Sequence, residues 1–196
     1  MTDTHGTDPI ALFKAWFDEA LKSESVNPNA MTLATATAAG RPSAREVLLK
    51  GLDERGFIFY TNLGSRKAAE TRENPWAALC FYWKSLARQV RVEGAVEPVT
   101  DAEADAYYES RPRLARIGAW ASRQSAPLER PLELEMRVAK FTAKFNVGAI
   151  PRPEFWSGYR VVPDSIEFWR EKASRLHERI LYSKTEDGWQ SKRLYP

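Results

Sequence analysis

The sequence predicts a mainly β protein with peripheral helices, its strands forming a closed or split barrel. Three observations carry that expectation. About seven short runs rich in β-branched and aromatic residues recur along the chain, separated by turn residues. Trp76 to Trp83 (WAALCFYW) is a continuous apolar run of strand length, the pattern of a central strand. Residues 87 to 99 (ARQVRVEGAVEPV) alternate around Gly94, with Val90, Val92 and Val96 sharing one face with Arg88 and Gly94. Gln89, Arg91 and Glu93 fall on the opposite face, toward solvent or a ligand surface.

The remaining elements follow in chain order. Residues 8 to 23 predict a helix: Asp8 caps it, Pro9 suits its first position, and Ile10, Phe13, Phe17, Ala20 and Leu21 recur at helical spacing. Residues 30 to 37 (AMTLATAT) alternate as a strand, and Ala39-Gly40-Arg41-Pro42 turns the chain. Residues 43 to 67 read as a hairpin leading into a helix. Its first run is Arg45 to Lys50, its turn Asp53-Glu54-Arg55-Gly56, and its second run Phe57 to Thr61. Ser65 can cap the helix that follows, to about Arg72, and Asn74-Pro75 breaks it. Thr100 and Glu103 form a capping box for a helix through Tyr108. A second short helix opens at Arg111-Pro112-Arg113, and a third spans 128 to 145. After the stiff connector Ile150-Pro151-Arg152-Pro153 come strands at Gly158–Val162, Ser165–Trp169, Arg179–Ser183 and Trp189–Leu194, the last two joined by a turn at Glu186-Asp187-Gly188.

At 196 residues the chain suits one domain, 1–196, with a flexible tail over 1–7 and with 150–196 as part of the same unit. With 43% hydrophobic and 28% charged residues, it has the composition of a soluble globular protein. No apolar run approaches the ~20 residues that span a bilayer, and the polar start MTDTHGTDP lacks a secretory layout. The single cysteine, Cys80, excludes an intrachain disulfide and points to a reducing, cytoplasmic setting. The 29 basic residues nearly balance the 26 acidic ones, leaving +3. The cations come as short separated pairs, which suits several small anionic contacts better than nucleic acid or a membrane surface.

Several chemistries are excluded. There is no glycine-rich dinucleotide fingerprint and no phosphate loop ending in Gly-Lys-Ser/Thr. Two histidines, His5 and His177, and one cysteine do not make an ordinary zinc site, so no metal is expected. No Gly-x-Ser-x-Gly elbow is present. What remains is a series of cationic and polar clusters: Arg45/Lys50; Tyr60-Thr61 with Arg66-Lys67; Arg88-Gln89-Val90-Arg91; Tyr107 with Arg111; Gln124-Ser125; and Arg175-Leu176-His177-Glu178-Arg179. Taken singly, each cluster is more often a solvated strand end or a salt bridge. Arg66 and Lys67 at a helix start oppose the helix dipole, which makes sense if an anion sits there. Tyr107 and Arg111 share a helix face and can chelate one phosphate. If extended, Arg175 and His177 share a strand face.

In this order the clusters resemble the pyridoxamine 5′-phosphate oxidase family. The matching strings are REVLLK (45–50), FYTNLGSRK (59–67), FYW (81–83), RQVRVEG (88–94), SRPR (110–113), IGAWAS-RQS (117–125), PRPEFWSGYRVVP (151–163), IEFW (166–169) and RLHERI (175–180). The resemblance covers 8 to 196. It implies a split β-barrel homodimer with FMN at the interface, and oxidation of pyridoxamine and pyridoxine 5′-phosphates to pyridoxal 5′-phosphate by O2, with H2O2 as product and NH3 from the amine. It places FMN contacts on Arg45, Glu46, Val47, Leu48, Leu49, Lys50, Tyr60, Thr61, Arg66, Lys67, Gln89, Gln124, Ser125, Trp169 and Arg179. It places the substrate on Lys50, Tyr107, Arg111, Arg175 and His177, the last two beside the reactive carbon as the catalytic pair. Two departures stand out: the family's usual serine is Ala115 here, and only seven residues precede the first helix, where members often carry a longer segment. Another split-barrel flavin oxidoreductase, or a non-catalytic FMN or pyridoxal phosphate-binding module, are the competing readings.

Overall fold

A computed structural model describes residues 8–196; the expected tail over 1–7, with His5, lies outside the described residues. The first helix, α1 (Pro9–Ser23), starts where its sequence signals place it, with the Asp8 carboxylate accepting the Ile10 N–H at 2.8 Å. Strands β1 (Ala30–Ala36), β2 (Pro42–Leu48), β3 (Gly51–Asp53) and β4 (Gly56–Asn62) precede the helix α2 (Arg66–Glu73). Then come β5 (Trp76–Trp83), β6 (Arg88–Pro98), α3 (Asp101–Ser110), α4 (Arg113–Ala121) and α5 (Glu133–Lys144). Strands β7 (Trp156–Arg170), β8 (Glu178–Thr185) and β9 (Gly188–Arg193) complete the described chain.

The nine strands form one antiparallel sheet with the order β2-β1-β5-β6-β7-β4-β3, and β8 and β9 continue from the far half of β7. The sheet curls into a half-barrel, so the expected split barrel is borne out. Strands β2 and β3, adjacent in sequence, lie at opposite ends of this path, with only Leu49 and Lys50 between them. Inward residues at period two, among them Met31, Leu33, Leu79, Phe81, Val90, Val92, Phe57, Phe59, Val161 and Phe168, build the core. Helix α1 plugs it. The Phe13 ring is fully buried, with its centroid 4.9 Å from both Phe57 and Phe81. Truncating such a ring typically costs about 3–5 kcal/mol.

The structure revises four local expectations. The Asp53–Gly56 turn forms, but it joins β4 only to the three-residue β3. The run from Arg45 lies in β2 and pairs with β1 instead, because the chain breaks at Leu49, whose side chain enters the core and whose N–H donates to the Asn29 carbonyl. The two strands expected at 158–162 and 165–169 are one, β7, carried past Pro163 by a register shift at Glu93/Gly94 of β6. Helix α5 begins at Glu133 rather than 128, since Pro131 disfavours helical backbone at Arg130 and Leu132 takes φ +61°. Finally, Arg175 is not in a strand. Ala173–Arg175 is a 3-10 turn with Ser174 and Arg175 at φ 59° and 61°, because the chain reverses there before β8.

An ion network ties α3 to the sheet. Arg160, 1% exposed, donates to Asp53 at 3.0 Å and to Glu103 at 2.8 Å, and Arg55 bridges the same two carboxylates. Glu103 also completes the capping box with Thr100. Hydrogen bonds from Arg160 and the Thr100 backbone, joined by Arg55 and the Thr100 hydroxyl, outweigh burial and hold the Glu103 carboxyl at about 2, below its ordinary 4.5. Its contribution is therefore complete above the ordinary value and is lost as pH falls toward the folded one. Glu103→Gln is expected to cost on the order of 1–2 kcal/mol at neutral pH. In urea unfolding the gap from wild type should close as pH falls from 4.5 toward 2; a gap independent of pH would show that charge is not its source.

Candidate active site

One cleft of about 840 Å3 runs between β2, the end of β4, α2, α3 and α4. Ser43 to Leu48 all border it. Consecutive strand residues alternate faces, so the cleft must follow the open edge of β2, where backbone groups are also presented. Thirteen of the residues expected at a site line it: Arg45, Glu46, Val47, Leu48, Lys50, Tyr60, Thr61, Arg66, Lys67, Tyr107, Arg111, Gln124 and Ser125. Leu49 belongs instead to the core, so only its backbone is available there.

At one end lie the cations of α2. Lys67 is 8% exposed, and its described hydrogen-bond partners are neutral oxygens: Thr61 and Gln124 at 3.2 Å and Ser65 at 3.4 Å. Ser65 occupies the cap position of α2 without a side-chain cap bond. Burial, with a smaller push from Arg45, lowers the Lys67 pKa, while Glu70 opposes this. Such an ammonium is underpaired and suited to an incoming anion. The Arg66 N–H reaches the Ser125 hydroxyl at 3.2 Å, and its side chain bonds Glu70 at 2.8 Å. Glu70 also accepts from Thr35, Ser43 and Arg45. Burial would raise its carboxyl, but hydrogen bonds from Ser43, Thr35, Arg66 and Arg45 prevail and set it at about 2.

At the other end is an aromatic wall. The rings of Tyr60 and Tyr107 stack at 4.0 Å, and those of Tyr60 and Trp156 at 5.4 Å with only 4° between planes. Gly158, paired with Tyr60 across β4 and β7, permits this, because a Cβ there would lie 2.7 Å from the tyrosine ring. The Arg111 guanidinium lies 4.7 Å over Trp156, and its Nη1 is buried without a hydrogen-bond partner. Burial lowers the Arg111 pKa and raises that of Tyr107. A stacked guanidinium with an unspent donor is suited to meet an anion. Ala115, Gly118 and Ala119 form a floor without polar side chains.

The other five expected residues do not line this cleft. Gln89, Trp169 and Arg179 sit opposite one another on β6, β7 and β8 and so share one sheet face. His177 rests against Trp169 at 4.8 Å, and the Lys172 N–H donates to its Nδ1 at 3.3 Å. Arg179 donates to Glu167 at 2.7 Å, which raises its pKa. Arg175 lies in the turn just before. One chain therefore holds two separate groups of candidate residues. Sequence reasoning missed Asn62, Ser122 and Glu70. Asn62 donates to the Ser122 carbonyl at 3.2 Å and accepts the Gly64 N–H, which shapes the turn before α2. Glu70, one helical turn beyond Arg66, was visible as an i,i+4 pair.

A curled half-barrel sheet with a cationic cleft along one strand edge places the chain in the class of split-barrel proteins. A solved FMN-binding protein from Nostoc punctiforme, related to pyridoxamine 5′-phosphate oxidase, has this fold, with a TM-score of 0.75 at 20% identity over 94% of this chain and 97% of that one. Residues 17–145 match the pyridoxamine 5′-phosphate oxidase family, and 156–196 match the pyridoxine 5′-phosphate oxidase C-terminal dimerisation region. The chain belongs to the pyridoxamine 5′-phosphate oxidase family, a family of enzymes. A pyridoxine/pyridoxamine 5′-phosphate oxidase of Rhodospirillum rubrum is 59% identical, covering 100% of both chains. One from Mesorhizobium japonicum is 55% identical over 98% of this chain and 95% of its own. PhzG from Burkholderia lata, solved with tetrahydrophenazine-1-carboxylic acid, is 34% identical with a TM-score of 0.94, covering 99% of this chain and 95% of that one.

The underpaired Lys67 predicts that inorganic phosphate stabilises the protein, following the logarithm of its concentration over Kd. The thermal midpoint should rise with phosphate. Lys67→Met should blunt that rise, measured against chloride at equal ionic strength; an equal rise in both proteins would place the anion elsewhere.

Proposed function

We propose that the protein is an FMN-dependent oxidase that converts pyridoxamine and pyridoxine 5′-phosphates to pyridoxal 5′-phosphate with O2, yielding H2O2, and NH3 from the amine. The observation that carries this reading is a single cleft with a phosphate-type site at each end, Arg66 and Lys67 at one and Tyr107 and Arg111 at the other, with Lys50 on its wall. Two phosphorylated ligands, cofactor and substrate, match two such ends. The donor set fits FMN: a buried ammonium without a carboxylate among its hydrogen-bond partners, neutral amide and hydroxyl groups at Gln124, Thr61 and Ser125, and a free strand edge for a planar ring's polar rim.

Bound there, FMN supplies the two-electron acceptor, which O2 regenerates as H2O2 forms. Arg66 and Lys67 hold its phosphate. Lys50, Tyr107 and Arg111 hold the substrate's phosphate and so aim its 4′ carbon. The alcohol is oxidised directly to the aldehyde; the amine gives an imine that water hydrolyses to aldehyde and NH3. Arg175 stabilises the charge that develops as the carbon is oxidised, and His177, with its Nδ1 engaged by the Lys172 N–H, positions the substrate through its other nitrogen. Gln89, Trp169, Arg175, His177 and Arg179 complete the site from the second chain of a homodimer. Their separation from the cleft of their own chain and the match of 156–196 to a dimerisation region support this arrangement.

Anaerobic bleaching and aerobic recovery of flavin colour with pyridoxamine 5′-phosphate, alongside peroxide and pyridoxal phosphate formation, test the reaction; bound FMN without product would leave only a binding module. Arg66→Ala should lose FMN first, whereas Arg175→Ala should lose turnover with FMN retained. Mixing inactive Arg111→Ala and Arg175→Ala chains should restore about a quarter of wild-type activity, since half of randomly re-associated dimers are mixed and each has one intact site. No recovery would place both residues in one chain's site. Ala115→Ser, which adds a hydroxyl to the cleft floor, should lower KM for the phosphorylated substrate several-fold, by about one hydrogen bond's worth; an unchanged KM would remove this position from phosphate binding.

A further inference from the structure

Behind the α2 end of the cleft lies a carboxylate that none of the roles above uses. Glu70 is 3% exposed and does not border the cleft. Its Oε2 accepts from Thr35 and Ser43 at 2.5 Å and from Arg45 at 3.0 Å, while its Oε1 accepts from Arg66 Nε at 2.8 Å. One buried group thus links β1, β2 and α2 and touches two of the three cations at this end. Arg45 is further held by the Leu33 carbonyl and the Thr35 and Ser43 hydroxyls. Among the described residues, Arg66 bonds Glu70 through Nε alone, which leaves its terminal nitrogens available.

The charges also add up in a particular way. Arg45, Arg66 and Lys67 carry three positive charges, and Glu70 carries one negative. The net +2 matches a phosphomonoester, which bears about −1.5 to −2 at neutral pH. Without Glu70, three cations would face one another uncompensated by a carboxylate.

We propose that Glu70 is a positioning residue for the cofactor's phosphate: it fixes the guanidinium planes of Arg45 and Arg66 and sets the cradle's net charge to that of a phosphomonoester dianion. It acts through the two arginines and does not touch the ligand. This inference rests on the flavin reading of the cleft, and a pair of ligands separates the two. FMN and riboflavin share the ring and differ in the phosphate, so their affinity ratio reports the phosphate cradle alone.

Apoprotein is titrated with FMN and with riboflavin, following flavin fluorescence, for wild type, Glu70→Ala and Glu70→Gln. Wild type is expected to prefer FMN strongly. Glu70→Ala should lower FMN affinity by about tenfold or more while riboflavin affinity changes by less than about twofold. Glu70→Gln keeps the side chain's size and an acceptor oxygen; should Glu70→Ala fail to fold, it carries the test, with an expected loss of at least about threefold for FMN alone. If the variants keep the full FMN preference, or lose both ligands equally, Glu70 only fastens α2 and the inference is overturned. A wild type that binds both flavins equally would overturn the assignment of FMN's phosphate to this end, and the inference with it.

Discussion

The antiparallel ladder between β6 and β7 is the pairing on which the rest of the molecule hangs. It runs from Arg88↔Arg170 to Pro98↔Tyr159 and is kept continuous by a register shift beside Gly94. Any side chain at Gly94 would put its Cβ 2.0 Å from the Val162 carbonyl oxygen, so close backbone approach there requires glycine. Because β7 is long, it serves two neighbours on one edge. Its first half pairs with β4 and so sets Tyr60 and Thr61 at the cleft, while its second half pairs with β8 and aligns Trp169 with Arg179. Both groups of candidate residues are registered against the same strand.

Electrostatics divides the cleft into two unlike ends. At the α2 end, cations are compensated by a buried carboxylate and by neutral oxygens. At the α3 end, Arg111 is compensated by aromatic faces and keeps a buried donor unspent. Burial in both places lowers the pKa of a cation, Lys67 at one end and Arg111 at the other, which means that each site gains from an anion. The Arg160–Glu103 network fixes the start of the helix that carries Tyr107, and the Tyr60 hydroxyl donates to the Glu103 carbonyl at 3.3 Å. The aromatic wall and the ion network thus support one another.

Much was legible in the residues. Helix α1, the capping box of α3, the alternation of β6 and the clusters around Arg66, Tyr107 and Gln124 all express local rules: a cap, a period, a turn residue. The miscast elements are those in which a distant partner outweighed the local signal. Pro163 looks like a strand end, yet a bulge in β6 carries β7 past it. Arg45–Lys50 looks like one arm of the Asp53–Gly56 hairpin, yet its partner is β1.

By itself the sequence determined the composition of the site: which cations, aromatics and amides are present, on which kind of element, and without a metal set or a phosphate loop. Only the tertiary structure decided their grouping. It joined Arg45, Arg66 and Ser43 through the buried Glu70, stacked Tyr60, Tyr107 and Trp156 against one another, and set Gln89, Trp169 and Arg179 apart in a second row. The physical reason is that strand pairing and carboxylate burial depend on residues tens of positions apart, and no local propensity encodes which of several compatible partners a strand or a charge will meet.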